Sequence, residues 1–224
     1  MTTSLPEAPD VGGLSIGILG GTGDQGKGLA RRFALAGHDV IIGSRSAGRA
    51  QEAAQSLGSG VRGEENPVAA READVVIVAV PWDGHKALLE SLRDELAGKI
   101  VVDCVNPLGF DKQGAYPLPV EEGSAAQQAA AVLTGSTVVA AFHHVSAVVL
   151  LDPGADEVDL DVLVLGDDRE ATGTVQALAS RIAGIRGVYG GRLRNAHQVE
   201  ALTANLISVN RRYKTHAGVR VTGL

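Results

Sequence analysis

The sequence has one cysteine, one methionine and one tryptophan in 224 residues, and aromatic residues make up only 3 % of it. The lone cysteine, Cys104, excludes an internal disulfide and any multi-cysteine metal site. No excess of basic residues is present. The formal net charge of −6 excludes a surface built for nucleic acid or for an anionic membrane. Long hydrophobic runs are also missing. The longest, Thr137 to Leu151, is interrupted by His143 and His144 and is too short to span a bilayer. The opening "MTTSLPEAPDVGG" has neither the basic nor the apolar part of a signal peptide, so residues 1–13 are expected to form a flexible leader. These absences point to a cytoplasmic protein with no metal, no nucleic acid and no membrane among its partners.

What is present is an ordinary globular composition, 45 % hydrophobic and 21 % charged, rich in Ala, Val and Gly. Small and β-branched core residues suit buried parallel strands. Apolar runs alternate with helical patterns along the chain. "LSIGILGG", "HDVIIGSR", "ADVVIVAVPW", "KIVVDCVNPL" and "STVVAAFHHV" predict strands, and "GVRGEE" a short edge strand. Helices are predicted over "QGKGLARRFALAG", with Leu29, Phe33 and Leu35 near one face, over "AGRAQEAAQSLG", and over "NPVAARE" with Asn66 as cap. Two more are predicted from about Asp83 to Leu96 and over "SAAQQAAAVL", while Leu108–Gly123 is expected to be a loop. The fold class is therefore α/β, a Rossmann-type doubly wound parallel sheet over residues 14–152. The acidic stretch Leu150–Asp161 reads as a linker. Residues 160–224 then predict a small C-terminal α/β domain: a strand "VLVLGDD", a helix from about Arg169 to Ala183, a short strand near "GVYGG" and a last helix from about Asn195 to Tyr213.

The chemistry is concentrated between the first strand and the first helix. "GILGGTGDQGKGLARRF" contains G-x-G-x-x-G as Gly21, Gly23 and Gly26. Gly21 is expected to allow the tight turn, Gly23 the approach of a pyrophosphate, and Gly26 the packing of helix on strand. The helix N-terminus adds free N–H groups and the positive end of a dipole. The same glycines with Lys27 imitate a phosphate loop, and Asp103 ends a run that imitates its second metal carboxylate. Gly28 stands where that loop needs a Ser or Thr hydroxyl for Mg²⁺, so the dinucleotide reading is preferred.

The end of the second strand selects the dinucleotide. An NAD site has an acid about 20 residues past the glycines. Here "IIGSRSAGR" places Ser44, Arg45 and Arg49 there instead, a set of donors suited to a 2′-phosphate and hence to NADP(H).

With "VAVPW", "VVDCVNPL", "AFHHV", "VLGDD" and "GRLRNAHQVEALTANLI" added, the chain from Leu14 onward resembles the coenzyme F420-dependent NADP oxidoreductases. F420 is an 8-hydroxy-5-deazaflavin. The resemblance implies a homodimer whose partners are small-molecule cofactors alone, NADP(H) and coenzyme F420, with reversible hydride transfer between their rings. It assigns Thr22, Gly23, Asp24 and Gln25 to the pyrophosphate turn, and Val80, Pro81, Trp82 and Asn106 to the walls around ribose and nicotinamide. His143 and Ala147 are placed where the two rings stack, and Val219 in a tail that folds back toward the cofactor.

His143 has two readings, a hydrogen-bond donor to the deazaflavin or a histidine that closes a strand. Trp82 likewise is a face for ring packing or an interdomain contact. Cys104 is read as a small core residue, Glu121–Glu122 as solvated, and Leu202, Leu206 and Val209 as core or dimer seam. Hydride transfer has no leaving group to protonate, which suits a chain without H-E-x-x-H, G-x-S-x-G or a carboxylate pair. Competing functions are a flavin-linked NADPH-dependent metal reductase, an imine or pyrroline-carboxylate-type reductase, and a non-catalytic NADP(H)-sensing module.

Overall fold

The computed structural model describes residues 8–224, so the first part of the expected leader, residues 1–7, lies outside the described residues. In chain order the first half comprises β1 (Ile16–Leu19), α1 (Asp24–Leu35), β2 (Val40–Ser44), α2 (Ala47–Leu57), β3 (Val61–Glu65), α3 (Asn66–Glu72) and β4 (Val75–Val78). A single 3-10 turn (Trp82–Gly84) leads into α4 (His85–Ser91), α5 (Arg93–Leu96) and β5 (Ile100–Asp103). Next come β6 (Leu108–Asp111), β7 (Gly114–Pro117), α6 (Ala125–Val132), β8 (Thr137–Ala140) and α7 (Ala147–Leu151). The chain closes with β9 (Leu160–Leu165), α8 (Arg169–Arg181), β10 (Ile185–Gly191) and α9 (Ala196–Tyr213).

Eight strands form one sheet in the order β3-β2-β1-β4-β5-β8-β9-β10, and β6 pairs with β7 as a separate hairpin. All neighbours in the sheet are parallel except β8 and β9, which meet at one antiparallel pair, Ala140 with Leu165. The strands expected of the C-terminal segment thus extend the central sheet. Side chains alternate between two cores. Ile16, Ile18, Val75 and Ile77 face α1, α2 and α8, while Leu19, Val76 and Val78 face α3, α4 and α6. Both faces are covered, which is why these strands read as continuous apolar runs.

Helix α1 shows how a helix is seated. Leu29 and Phe33 are fully buried one turn apart, whereas Leu35 is 67 % exposed because 3.6 residues per turn carry it round to the opposite side. Gly37, at φ +90°, ends the helix in a Schellman motif, with Gly37 N–H donating to Ala34 O and His38 N–H to Phe33 O. A Cβ on Gly28 would lie 2.6 Å from Leu150 Cβ, so the glycine lets α7 close on α1.

Several expectations change. The single helix expected from Asp83 to Leu96 is broken at Leu92, where φ is −118°, into α4 and α5. The Leu108–Gly123 loop contains the β6–β7 hairpin. The apolar run Thr137–Leu151 is a strand, a turn and α7. The acidic linker is tied down by the buried Arg32 of α1, whose guanidinium donates to the carbonyls of Leu150 (2.9 Å), Val149 (2.8 Å), Asp152 (3.3 Å) and Ala155 (2.7 Å). One cation caps the C-terminal end of α7 and fixes the path into β9. Arg32→Met is expected to destabilise the protein by about 3 kcal/mol or more, because several carbonyls lose a charged donor at once. Urea unfolding at constant slope measures the change; a change below about 1 kcal/mol would contradict the capping role.

Candidate functional site

The strand order reverses between β1 and β4, and the carboxyl ends of those strands form the crevice where a ligand is expected in such a sheet. The turn after β1 is closed by Gly23 N–H donating to Gly20 O at 3.0 Å, with Gly21 and Thr22 at its centre as the motif suggested and the positive φ, +76°, at Gly20. A Cβ on Gly20 would stand 2.6 Å from Ala79 O at the end of β4. Gly21 is pressed on Ile42 of β2, and Gly26 lies against Gly21, where a Cβ would meet its Cα at 2.6 Å. Gly23 is different: it is exposed and a Cβ would meet only Gly20 O at 3.5 Å. The first turn of α1 has no side-chain cap, so no side chain at Gly23 answers the N–H groups at the dipole's positive end. Thr22 is half-buried in the turn and Asp24 is exposed beside it.

Ser44 closes β2. Its buried Oγ accepts a 3.4 Å hydrogen bond from Ser46 N–H, which leaves the hydroxyl proton free to donate. Arg45 and Arg49 are exposed, and among the described residues neither forms an ion pair. The register also sets Glu65 of β3 beside Ser44, an acid that the second strand alone does not reveal.

A cleft of about 480 Å³ opens at the reversal point. Gln25 comes from α1, Val80, Pro81 and Trp82 from the end of β4, and Cys104, Val105 and Asn106 from the end of β5. His143 and Val145 follow β8, and Thr203 and Ile207 come from α9. Six of the expected residues (Gln25, Val80, Pro81, Trp82, Asn106 and His143) therefore meet in one place. Ala147, which opens α7, and Val219, whose carbonyl accepts from Asp161 N–H at 2.7 Å, do not line it.

His143 is held by its backbone. Its carbonyl accepts from Asn106 Nδ2 at 2.9 Å and Thr203 Oγ1 at 3.0 Å, while Gln25 Nε2 donates to the carbonyl of Phe142 at 3.4 Å. Phe142 itself is in the left-handed region at φ 64°, a strained conformation that redirects the chain just before His143. Both ring nitrogens of His143 are buried without a hydrogen-bond partner. Thr203 was missed by sequence reasoning, because a threonine inside an amphipathic helix carries no local mark.

Three curated relatives carry the description F420-dependent NADP reductase. An F420-dependent NADP reductase of Methanothermobacter thermautotrophicus is 41 % identical over 223 residues, covering 94 % of this chain and 96 % of the relative. The chain belongs to the coenzyme F420-dependent NADP oxidoreductase family. The family model "NADP oxidoreductase coenzyme F420-dependent" matches residues 15–107, from β1 to the floor of the cleft. A solved Arthrobacter sp. FB24 structure, described as an F420-dependent NADP reductase, superposes with a TM-score of 0.82 at 26 % identity, covering 94 % of this chain and all of that one. The metalloreductase STEAP3 of Rattus norvegicus is 36 % identical over 204 residues, 91 % of this chain but 39 % of that protein. Among the described residues no helix of this family member is long and apolar enough to cross a membrane.

Burial pushes the His143 ring down to about 4, with His144 adding to the effect and Asp103 opposing it. His144 falls to about 4 for the same reason, opposed by a backbone hydrogen bond and Asp161. Both rings are neutral at pH 7. A histidine depressed below its ordinary value of 6.5 contributes stability that is complete above that pH and lost as pH falls toward about 4. Each is worth roughly 3 kcal/mol across that window. His143→Gln is expected to flatten the loss of stability between pH 6.5 and 4, measured by urea unfolding. An acid profile identical to that of the native protein would contradict a buried neutral His143.

Proposed function

We propose that the chain transfers a hydride reversibly between NADP(H) and coenzyme F420 in the cleft at the β1–β4 reversal. The observation that carries this reading is the cleft at the β1–β4 reversal, where Gln25 from the uncapped start of α1 meets Val80–Trp82, Asn106 and His143 from the ends of β4, β5 and β8. The site suits the two cofactors. Its volume lies within the range of small-molecule sites, about 300–1,000 Å³, and its walls are mostly apolar with a few polar groups. The uncapped N–H groups of α1 and the open face at Gly23 suit a pyrophosphate, with Gly21, Thr22 and Gly26 shaping the turn. Ser44, Arg45 and Arg49 suit a 2′-phosphate.

When bound side by side, the two rings supply the chemistry, a direct hydride shift between nicotinamide C4 and deazaflavin C5. The protein's part is to orient and to exclude water. Val80, Pro81 and Trp82 form one wall, and Asn106, fixed on the His143 carbonyl, the opposite side. His143, neutral at pH 7, donates one ring N–H toward the deazaflavin without delivering a proton. Chain flexibility at the ring site is limited, since Asn106 and Thr203 hold the His143 carbonyl and Gln25 holds that of Phe142. Ala147 and Val219 remain candidates for contacts outside this cleft. The half-buried Leu202, Leu206 and Val209 and the exposed Tyr213 of α9 support a homodimer, and we place its work in the cytoplasm.

A cleft of this size favours an enzyme over a non-catalytic NADP(H) sensor. Mixing the protein with NADPH and oxidised F420 is expected to bleach the deazaflavin absorbance. Loss of NADPH on FAD with a ferric salt, or on an imine, without bleaching of F420 would overturn the reading. Arg45→Gln is expected to raise the KM for NADPH at least about tenfold and that for NADH much less, since a charged hydrogen bond is worth about 1.5–3 kcal/mol. Equal effects on both would remove Arg45 from the 2′-phosphate site.

A further inference from the structure

Behind the cleft wall lies a polar cluster that the proposed reaction does not use. His85, first residue of α4, and Asp103, last of β5, are both fully buried, with His85 Nε2 2.6 Å from Asp103 Oδ2. His85 Nδ1 lies 3.1 Å from Gln128 Oε1 on α6. The Gln128 amide nitrogen donates to Glu122 at 3.0 Å, so its oxygen faces His85. Both ring nitrogens of His85 then donate, which is the bonding of an imidazolium. Its ring centroid is 5.6 Å from that of Trp82, with the planes 31° apart. That is within cation–π range. The second oxygen of Asp103 accepts from Val105 N–H at 3.1 Å and so fixes the turn carrying Val105 and Asn106. One buried carboxylate thereby ties together the two sides of the cleft, Trp82 through His85 and Asn106 through the turn.

We infer that His85, anchored by Asp103, is a positioning residue that holds the Trp82 indole as a ring-stacking wall by a cation–π contact. The inference rests on the ring cleft proposed above. It assigns His85 no contact with either cofactor. Loss of the contact lets Trp82 leave its place, which alters the approach of the rings while leaving the distant phosphate anchors intact.

The charged groups facing His85 come from every side. Asp103 is on β5, Glu122 stands behind Gln128 and pairs with Lys86, and Glu200 of α9 accepts from Ala125 and Ala126 N–H at the start of α6. Burial opposes the charge on His85, but Asp103, Gln128 and Glu200 outweigh it and raise its pKa. Burial likewise raises Glu200 to about 7, against its two backbone hydrogen bonds. The carboxylates and the Gln128 oxygen thus favour the charged form of His85, while Glu200 ionises nearby at about 7. Glu200→Gln separates the two titrations.

Trp82 is the single tryptophan, so indole fluorescence in the cofactor-free protein reports this contact alone. A protonated imidazole quenches an indole it touches. Emission is expected to rise with pH as His85 deprotonates, and to be bright and pH-independent in His85→Gln. With NADPH and F420, His85→Gln is expected to lower kcat about ten- to a hundredfold, the scale of a ~1 Å misplacement, while the KM for NADPH stays within about threefold. Trp82→Phe is expected to reproduce that loss, and the double variant to be no worse than either single one. Trp82 is only half-buried, so this second variant serves if His85→Gln does not fold. A pH-independent emission in the native protein, or a kcat within about twofold of native in either folded variant, would overturn the inference. If the native protein does not reduce F420 at all, the reaction falls, while the fluorescence titration still decides the contact between His85 and Trp82.

Discussion

The structure depends on one close approach of backbones. Gly20 can take φ +76° and lie against the carbonyl of Ala79 because it has no side chain, and Gly26 can lie on Gly21 for the same reason. Together they bring the start of α1 beside the end of β4. That places uncapped N–H groups at the mouth of the cleft and Gln25 within its wall. Any side chain at Gly20 or Gly26 would push α1 outward, and the phosphate end of the site would lose its alignment with Trp82, Asn106 and His143.

A second theme is how environment divides one residue type. His85, His143 and His144 are all buried. His85 faces a carboxylate and an amide oxygen, which raise its pKa; the other two have no such partners and burial holds them neutral. The His85–Asp103 pair therefore sits behind the cleft wall, against Trp82, and the ring that lines the cleft is neutral. That arrangement suits a reaction in which a hydride passes between two carbons, where a strong acid in the cleft would add nothing. Glu200 extends the pattern: it caps α6 in a buried place and has a raised pKa.

Much of this was legible in the sequence. The strands β1, β2, β4 and β5 are buried on both faces and so appear as unbroken apolar runs, and the Gly21–Gly26 motif and Ser44–Arg45 stand at the ends of β1 and β2, where the proposed dinucleotide site needs them. The cleft walls Val80–Trp82 and Asn106 lie directly after such strands, which makes them easy to find. What stayed hidden is what tertiary contact decides. The β6–β7 hairpin pairs only with itself in a stretch of glycines and prolines, so no periodicity announces it. Helix α7 is concealed in an apolar run. The joining of β9 to β8 rests on a single bridging pair. The contact of His85 with Asp103 links residues 18 positions apart, and neither has a local pattern that names the other. The positive φ sits at Gly20, one residue before the motif, where the chain lies against the carbonyl of Ala79.

The central claim is that the cleft brings the two rings together for direct transfer with no solvent proton on the path. The most direct measurement is a single turnover with NADPH deuterated at the transferring position of nicotinamide C4, followed by NMR or mass analysis of the reduced F420. Transfer of the label to the deazaflavin C5, with no incorporation from solvent, is the expected result. Solvent hydrogen at C5, with the label lost, would contradict the account.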